Sequence, residues 1–330
     1  MAPDLSPDTD AETLTTARAF ASEDRARSAR HVAVTALMLV AAEGVLLSGL
    51  PVWIRAGASV LAALTIVRAF VLFHDVMHGS ILRRSRVGRA AFSAFGLLIL
   101  TPPRVWRDTH NYHHAHTAKI VGSNVGSFVT VTTAMWSGMS MRQRLGYRAA
   151  RHPLTIALGY FTVFAYGMCL SPLLRAPRKN WTAAVALAVQ VALGVVVVTT
   201  LGWLSYVLAV LGPLALAMAL GGYLFYAQHN FPEAHVQPRH EWRYVRAALE
   251  SSSYLEMGPI LRFFTGNIGY HHVHHLNPAI PFYRLPEAMA SVPGLRSPRR
   301  TSLALTDVRA CLRLKLWDPV AGRLVGYPGR

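Results

Sequence analysis

The stretch from Trp181 to Ala227 contains no charged residue. A helix of about 20 apolar residues is enough to cross the roughly 30 Å hydrocarbon core of a bilayer. If it is broken near Gly202 and Trp203, this stretch therefore predicts two membrane spans joined by a tight turn. The whole chain agrees, since 52% of its 330 residues are hydrophobic and 15% are charged, whereas soluble domains carry about 25% charged residues.

The chain is strongly basic, with a formal net charge of +17. Such a charge is typical of proteins that bind nucleic acid or an anionic lipid surface. The chain has no zinc-finger spacing and no basic stretch interleaved with aromatic residues, so we expect lipid and no nucleic acid. Its two cysteines, Cys169 and Cys311, are too few for a disulfide framework or an iron–sulfur cluster.

The positive-inside rule orients the predicted helices. Segment 155–174 is basic before and after, and segment 88–101 is too short to span, so we predict that both are interfacial or re-entrant. Both termini and the histidine clusters described below then lie on the cytoplasmic side of the cytoplasmic membrane. The sequence thus predicts an all-α membrane protein with about four transmembrane helices, interfacial helices and a cytoplasmic helical cap. The expected parts are a disordered acidic tail (1–30), which is not a signal peptide, a membrane domain (31–290) with spans at about 31–50, 55–75, 181–201 and 204–227, and a basic cytoplasmic C-terminal segment (291–330).

Histidines occur in three clusters, each beside an apolar segment. In a helix, the spacing i, i+3, i+4 places three imidazoles on one face, within reach of a common metal ion. Imidazole is a common ligand of transition metals, and few thiolates or carboxylates accompany these histidines. The clustered residues are His74 and His78, then His110, His113 and His114, and finally His271, His274 and His275.

Eight imidazoles exceed the coordination shell of one ion, so we predict a dinuclear site. His229 directly follows the last predicted span and is a ninth candidate ligand. His116 and His272 lie beside ligands but off the predicted face, and we interpret them as groups behind the ligands or facing solvent. On ligand type alone, zinc hydrolysis and iron–oxygen chemistry both stay open.

Metal-bound imidazoles need partners for their second nitrogen. Asp75, Asp108 and Asn267 are the candidates, although either aspartate can instead cap a helix. Arg68 either extends its charge to the interface or pairs with Asp75 behind the ligands. Glu43, inside the first span, lies near an interface or belongs to a buried network with Arg68.

The three clusters, with their order and flanks, resemble the three histidine boxes of membrane fatty acid desaturases. The flanks in question are Trp106-Arg107-Asp108-Thr109 before the second cluster and Gly266-Asn267-Ile268-Gly269-Tyr270 before the third. Gln228-His229-Asn230 is similar to an extra motif of the bacterial and cyanobacterial acyl-lipid branch, the omega-6/omega-3 type. Val76-Met77 departs from that branch, whose members often carry Cys-Gly there.

The resemblance implies two iron ions, dioxygen as oxidant, two external electrons, and a cis double bond formed from adjacent methylenes. It implies an acyl substrate on a lipid, coenzyme A or a carrier protein, and an apolar tunnel roofed by Phe263, Phe264 and Tyr270. The chain carries no cytochrome b5 motif, so a separate donor such as a ferredoxin would supply the electrons. The basic C-terminus then lies against anionic headgroups or docks that donor.

Three other functions share parts of this pattern. A related hydroxylase or a carotenoid ketolase or hydroxylase has the same boxes, and histidine spacing does not separate them from a desaturase. A zinc-dependent membrane hydrolase would use the same ligands without oxygen. A metal transporter would need ionisable residues along its path, and Trp181 to Ala227 has none.

Overall fold

The computed structural model describes residues 7–121 and 125–329, which are mostly helical. Three of its helices are long and apolar enough to cross a membrane: Arg25–Leu46, Val52–His78 and the bent helix Trp181–His229. The first five helices are α1 (Pro7–Arg18), α2 (Arg25–Leu46), α3 (Val52–His78), α4 (Arg86–Leu98) and α5 (Pro103–His116).

Helices α2 and α3 pack along each other as a hairpin. The side chain of Asp24 caps the start of α2 by accepting a hydrogen bond from the backbone N–H of Arg27. Helix α3 ends at Gly79, whose φ of +73° is in the left-handed region that glycine adopts without strain. This ending stops α3 directly after the turn that carries its two histidines, His74 and His78.

Residues 153–175 form short helices rather than one long span, and these pack against the bent helix Trp181–His229. The segment predicted as one interfacial helix, 155–174, is divided into an α-helical turn, a π-helical stretch at Tyr160–Leu170 and a final short helix. The helices here are α6 (Thr133–Gly138), α7 (Met141–Ala150), α8 (Pro153–Ala157), α9 (Ser171–Arg175), α10 (Trp181–Tyr206) and α11 (Gly212–His229), with a π-helical turn at Val207–Leu211 between the last two.

The predicted break near Gly202 and Trp203 is confirmed, because Gly202 has non-helical dihedral angles, φ 81° and ψ 168°. A Cβ on Gly194 would lie 3.3 Å from the ring of Tyr206. In a straight helix these residues would stand about 18 Å apart along the axis, since each residue adds about 1.5 Å. The chain therefore turns back on itself at Gly202.

After α11, residues 230–329 form a cap of short helices and a few strands, which strand β1 joins from earlier in the chain. The structure corrects the all-α prediction, because strand β1 pairs in parallel with β4, which pairs antiparallel with β5, and β2 pairs in parallel with β3. The elements are α12 (Tyr244–Glu250), α13 (Pro259–Phe264), α14 (His271–Leu276), α15 (Leu285–Ser291), α16 (Leu305–Arg313), β1 (Val131–Thr132), β2 (Tyr254–Glu256), β3 (Arg300–Ser302), β4 (Leu316–Asp318) and β5 (Arg323–Val325), with single 3-10 turns at Phe282–Arg284 and Pro293–Leu295.

Residues 1–6 lie outside the described residues. From Pro7 onward, the N-terminal segment departs from the predicted disorder, because it begins with helix α1. Helix α1 packs on the cap: Ala17 is fully buried in the cluster around α14 and α15, and Thr13 touches Gly294. Asp10 forms an ion pair with Arg243. The acidic composition of this segment concealed a narrow apolar face that needs the distant cap as its partner.

Candidate metal centre

Nine histidines converge where the ends of α3 and α11 meet α5 and α14. They form two groups, and in each group one nitrogen per ring lies within 4.8 Å of those of the others. These are the nine histidines proposed from the sequence as ligands. Group A consists of His74, His78, His110, His114 and His274, and group B consists of His113, His229, His271 and His275.

Each of the two short histidine helices contributes to both groups. On α5, His110 and His114 belong to group A, while His113 belongs to group B. Helix α14 does the converse, giving His271 and His275 to group B and His274 to group A. Residues i and i+4 differ by about 40° around a helix, whereas i+3 lies about 60° to the other side. The expectation that each triad serves one common ion is therefore wrong, because the i+3 member faces the neighbouring group.

In each group one Nε2 atom lies at contact distance from two other Nε2 atoms, and a single N–H on that atom could serve only one of these contacts. In group A, the Nε2 atom of His110 lies 3.1 Å from that of His74 and 3.1 Å from that of His114. In group B, the Nε2 atom of His229 lies 3.1 Å from that of His113 and 2.9 Å from that of His271. Two nitrogens at about 2.1 Å from one metal ion, at right angles or slightly more, are separated by about 3.0–3.4 Å. Both groups therefore fit a metal ion, whose charge would hold together lone pairs that otherwise repel.

The opposite ring nitrogen of three histidines has a defined partner. His74 Nδ1 lies 3.0 Å from Asp75 Oδ1, and His229 Nδ1 lies 3.0 Å from the carbonyl oxygen of Ser251. Because both oxygens only accept, each Nδ1 carries the proton and each Nε2 presents a lone pair. These partners select the tautomer that binds a metal.

The third of these histidines uses a hydroxyl group. The Oγ1 atom of Thr117 donates to the carbonyl oxygen of His113 at 2.7 Å and lies 3.3 Å from His275 Nδ1. With its proton already committed, Oγ1 can only accept from His275. His275 is thereby held in the same tautomer as the two other histidines with defined partners.

Burial keeps the ligand histidines of the cap and of α5 neutral. Desolvation lowers the pKa of each well below 6.5, and the charges of other imidazoles at short range lower it further in all six. Neutral imidazole is the form that binds metals, so the site is electrostatically ready for a cation. The residues concerned are His110, His113, His114, His271, His274 and His275.

Aromatic side chains support the rings of both groups. The indole of Trp106 stacks on His110, with ring centroids 4.3 Å apart, and contacts His74 at 5.4 Å. Phe225 packs against His113 at 5.0 Å. Sequence reasoning did not assign a role to these aromatics, although the i, i+4 spacing of Trp106 and His110 was a usable signal.

Four of the other sequence candidates lie apart from the two groups. Asp108 is half-exposed and lies 3.8 Å from Lys179, so it faces the surface rather than an imidazole. The side chain of Asn267 donates to the carbonyl oxygen of Phe282 at 3.3 Å. His116 stacks on Tyr112, and His272 is buried with its Nε2 near a backbone carbonyl in the cap.

Arg68 adopts neither predicted arrangement. It is 1% exposed, and its Nε donates to Thr35 Oγ1 at 3.0 Å while its guanidinium bonds the carbonyl oxygen of Phe263. Its third contact is His31 Nδ1, at 2.8 Å. Arg68 therefore ties α2, α3 and α13 together and pairs with neither Asp75 nor Glu43.

The three residues predicted to roof a tunnel lie around α13. The guanidinium of Arg68 sits 4.0 Å above the ring centroid of Phe263, which is 5.2 Å from that of Phe264. The ring of Tyr270 packs on Tyr254 at 4.7 Å, immediately before the first histidine of α14. This aromatic set adjoins both α3 and the histidine helix.

A helical membrane protein with two adjacent groups of neutral imidazoles belongs to the class of metal-dependent membrane enzymes. Residues 48–300 match the model of the fatty acid desaturase family. The chain is 34% identical over 273 residues to a fatty acid desaturase of Bacillus subtilis, covering 82% of this chain and 76% of that protein. It is 28% identical over 231 residues to an sn-1 oleoyl-lipid 12-desaturase of Synechocystis, covering 68% and 64%.

The chain therefore belongs to the fatty acid desaturase family. It is an integral membrane oxidoreductase of the fatty acid desaturase type. A further relative, an omega-3 fatty acid desaturase of the endoplasmic reticulum from Vigna radiata, is 28% identical over 244 residues, with 67% of this chain and 60% of that protein covered. The resemblance seen in the histidine boxes is thus confirmed.

Proposed function

We propose that this enzyme introduces a cis double bond into acyl chains of membrane lipids, with one iron ion in group A and one in group B. The observation that carries the proposal is the pair of groups itself, each with ligand nitrogens within 4.8 Å. When bound, the two irons would supply the oxidant that an unactivated methylene requires, because no side chain can remove its hydrogen. The lipid-linked substrate is suggested by the relatives named oleoyl-lipid desaturases.

The residues around the irons would hold the ligands and exclude water. Asp75, Ser251 and Thr117 fix three imidazoles in the metal-binding tautomer. Trp106 and Phe225 fill the space behind the rings, so competing reactions with water are suppressed. The overall reaction balances as one –CH2–CH2– unit, O2, two electrons and two protons giving –CH=CH– and two molecules of water.

We infer that the acyl chain enters beside α13. Ile260 is 73% exposed and Phe263 is 39% exposed, so this helix presents apolar groups outwards beside Arg68 and α3. An apolar passage is the usual way to bury a lipid tail. Phe263, Phe264 and Tyr270 are its proposed lining, and a chain on coenzyme A or a carrier protein would use the same passage.

We infer four membrane spans, with the histidine groups and both termini in the cytoplasm. The reversal at Gly202 supports treating Trp181–His229 as two spans. The convergence of α3 and α11 on the same groups supports placing both of their C-terminal ends on one side. Cysteine labelling tests this topology: Gly49→Cys should react from outside the cell and Arg86→Cys only after permeabilisation, and the reverse pattern would contradict it.

Expression in a host of defined lipid composition tests the function. We expect a new double bond, seen as the loss of two hydrogens in the fatty acid mass spectrum, together with about two irons per purified chain. The His271→Ala variant is the matched control and should give neither the product nor the full iron content. A mass gain of one oxygen would indicate a hydroxylase, and zinc with oxygen-independent turnover would indicate a hydrolase.

We propose that the electrons come from a separate protein. The chain has two cysteines, both buried and far apart in sequence, so it cannot bind an iron–sulfur cluster through thiolates of its own. We propose a small one-electron carrier such as a ferredoxin as the donor. Activity of the purified enzyme should then require an added carrier and its reductase, or a chemical reductant in their place.

A further inference from the structure

An indole and two basic side chains lie together on the cap, outside the histidine groups. The Nζ atom of Lys119 sits 3.8 Å above the ring centroid of Trp242, which is half-buried. Arg239 and His240 are exposed and close to this indole in the chain. Burial and the charge of nearby Arg239 lower the pKa of Lys119. We call Lys119, Arg239, His240 and Trp242 the Trp242 patch.

Polar contacts connect the Trp242 patch to group B. Trp242 Nε1 donates to the carbonyl oxygen of Thr117 at 2.8 Å. The side chain of the same threonine accepts from His275 Nδ1 at 3.3 Å. His275 Nε2 is one of the group B nitrogens, 3.2 Å from that of His271. A single residue thus lies between a surface indole and a proposed iron ligand.

The two segments that form the patch are held rigidly to each other. The backbone N–H of Gln237 donates to the carbonyl oxygen of Ala118 at 2.9 Å, and the N–H of Ile120 donates to the carbonyl oxygen of Gln237 at 3.1 Å. The hydroxyl of Tyr244, two residues after the indole, donates to the carbonyl oxygen of His275 at 2.6 Å. Binding of a partner at the patch would therefore leave the distances between Trp242, Thr117 and His275 unchanged.

We propose that the Trp242 patch is the docking site of an acidic one-electron carrier protein, and that electrons pass through Trp242 and Thr117 to His275. The proposal rests on the proposed function, which needs an external donor. Electron transfer weakens steeply with distance and favours covalent and hydrogen-bonded paths, which this route supplies. Each of two reduced carriers gives one electron per double bond, and the two electrons and two protons complete the reduction of O2 to water.

The positive charge of the chain and of the Trp242 patch favours an acidic protein as the partner. The chain carries a net charge of +17, so its field attracts an acidic protein from a distance, and this attraction weakens with salt. At the patch, Lys119 and Arg239 would face the carboxylates of the carrier. The half-buried indole adds the kind of aromatic contact that is frequent at the centre of interfaces.

Charge reversal tests the docking surface. In the enzyme with bound iron, Lys119→Glu/Arg239→Glu should raise the KM for a reduced acidic plant-type ferredoxin about tenfold at low salt. Its turnover with dithionite and methyl viologen should equal that of the unaltered enzyme. The matched control is Arg309→Glu/Arg313→Glu, which makes the same charge change on exposed residues of α16. An equal rise in KM in the control would overturn the proposal, as would no rise in the patch variant.

A second variant tests the route rather than the docking. Trp242→Phe keeps an aromatic ring but removes the N–H that reaches Thr117. We expect iron reduction by ferredoxin, followed by stopped-flow absorbance, to slow several-fold at unchanged KM and unchanged iron content. Equal slowing with methyl viologen, or no slowing with ferredoxin, would refute the route. If the unaltered enzyme desaturates with neither reductant, the proposed function itself fails, which is a separate result.

Discussion

The two membrane helices that deliver histidines end beside side chains of opposite charge. The last turn of α3 carries Asp75, which is 1% exposed and contacts His74. The end of α11 is instead surrounded by two buried cations, Arg151 and Lys315, which are 1% and 7% exposed. A helix C-terminus carries a partial negative charge, so it favours cations and disfavours a carboxylate.

The two cations at α11 belong to one hydrogen-bond network. Arg151 donates to the side chain of Asn230 at 2.5 Å, and Lys315 Nζ donates to the carbonyl oxygen of Arg151 at 2.7 Å. Both also reach the hydroxyl of Tyr226 at 3.3 Å. Within residues 7–121 and 125–329, no carboxylate forms an ion pair with either cation. Backbone carbonyls and neutral side chains solvate these charges, and the network anchors the turn that carries His229.

The carboxylate at α3 has a different purpose. Its two oxygens are used by His74 Nδ1 and by the backbone N–H of Phe282, at 3.0 Å and 2.7 Å. A buried acid at a helix C-terminus opposes the helix dipole, so its retention is explained by the imidazole that it orients. The comparison teaches that the end of α3 is built to orient a ligand of the proposed metal site, whereas the end of α11 is built around the network that anchors it.

Removal of a ligand should have the largest effect, and it should differ between the groups. His229→Ala takes one of four nitrogens from group B, whereas His78→Ala takes one of five from group A. Because group B has no spare ligand, we expect His229→Ala to lose about one iron per chain and all desaturation. His78→Ala should retain more iron. Iron analysis of both purified variants checks this, and identical iron contents would remove the distinction between the groups.

The next largest effect is expected from Asp75→Asn. Loss of the carboxylate weakens the orientation of His74, so metal affinity and activity should fall about 10- to 100-fold. The apparent Tm of the metal-free protein should be unchanged or higher, because a buried charge is gone. Asp108→Asn is the matched control, since Asp108 lies near Arg104 and Lys179 at the surface. A drop in Tm without loss of metal in Asp75→Asn would show that Asp75 is structural.

Arg151→Gln should have the opposite effect to Asp75→Asn, because it should lower the stability of the fold and leave the iron content nearly unchanged. Its guanidinium contacts Asn230, Tyr226 and the carbonyl oxygens of Phe128 and Val129. Removing it leaves several buried groups unsatisfied, so we expect a loss of about 2–4 kcal/mol in stability. Thermal unfolding in detergent measures the effect as a lower apparent Tm.

The control for this prediction is Arg142→Gln near the start of α7, the helix that Arg151 directly follows, because Arg142 is exposed. The iron content of correctly folded Arg151→Gln should stay close to that of the unaltered enzyme. If Arg151→Gln loses iron while keeping its Tm, then the end of α11 is organised around the proposed metal site in the same way as that of α3. The contrast between the two helix ends would then disappear.

The sequence predicts local features well and distant contacts poorly. The break at Gly202 followed from an uncharged stretch twice the length of a span. Eight of the nine candidate ligands followed from helical spacing, because the chemistry lies within each short segment, and His229 followed from its position directly after the last predicted span. The division of these ligands into groups A and B did not follow from the sequence, because it depends on how α5 and α14 pack against each other and against α3.

The partners of the ligands show the same limit. Asp75 is adjacent to its histidine in the chain and was found, whereas Thr117 and Ser251 act on His275 and His229 from distant segments. Neither residue type signals such a role. Burial of α1 was missed for a related reason, because a weakly apolar helix is stabilised by a partner that lies far away in sequence.

The smallest effect is expected from Lys315, and it depends on pH. Burial, and then the neighbouring charge of Arg151, lower the pKa of Lys315 from 10.5 to about 8. Between these values the unfolded chain holds a proton that the folded chain has released, so stability from this group rises with pH; below pH 8 the full cost of the buried charge is present. Relative to Lys315→Met, the unaltered enzyme should therefore gain apparent Tm as pH increases from about 8 to about 10. A difference between the unaltered enzyme and Lys315→Met that does not change with pH would mean that the amine of Lys315 stays charged in the folded protein.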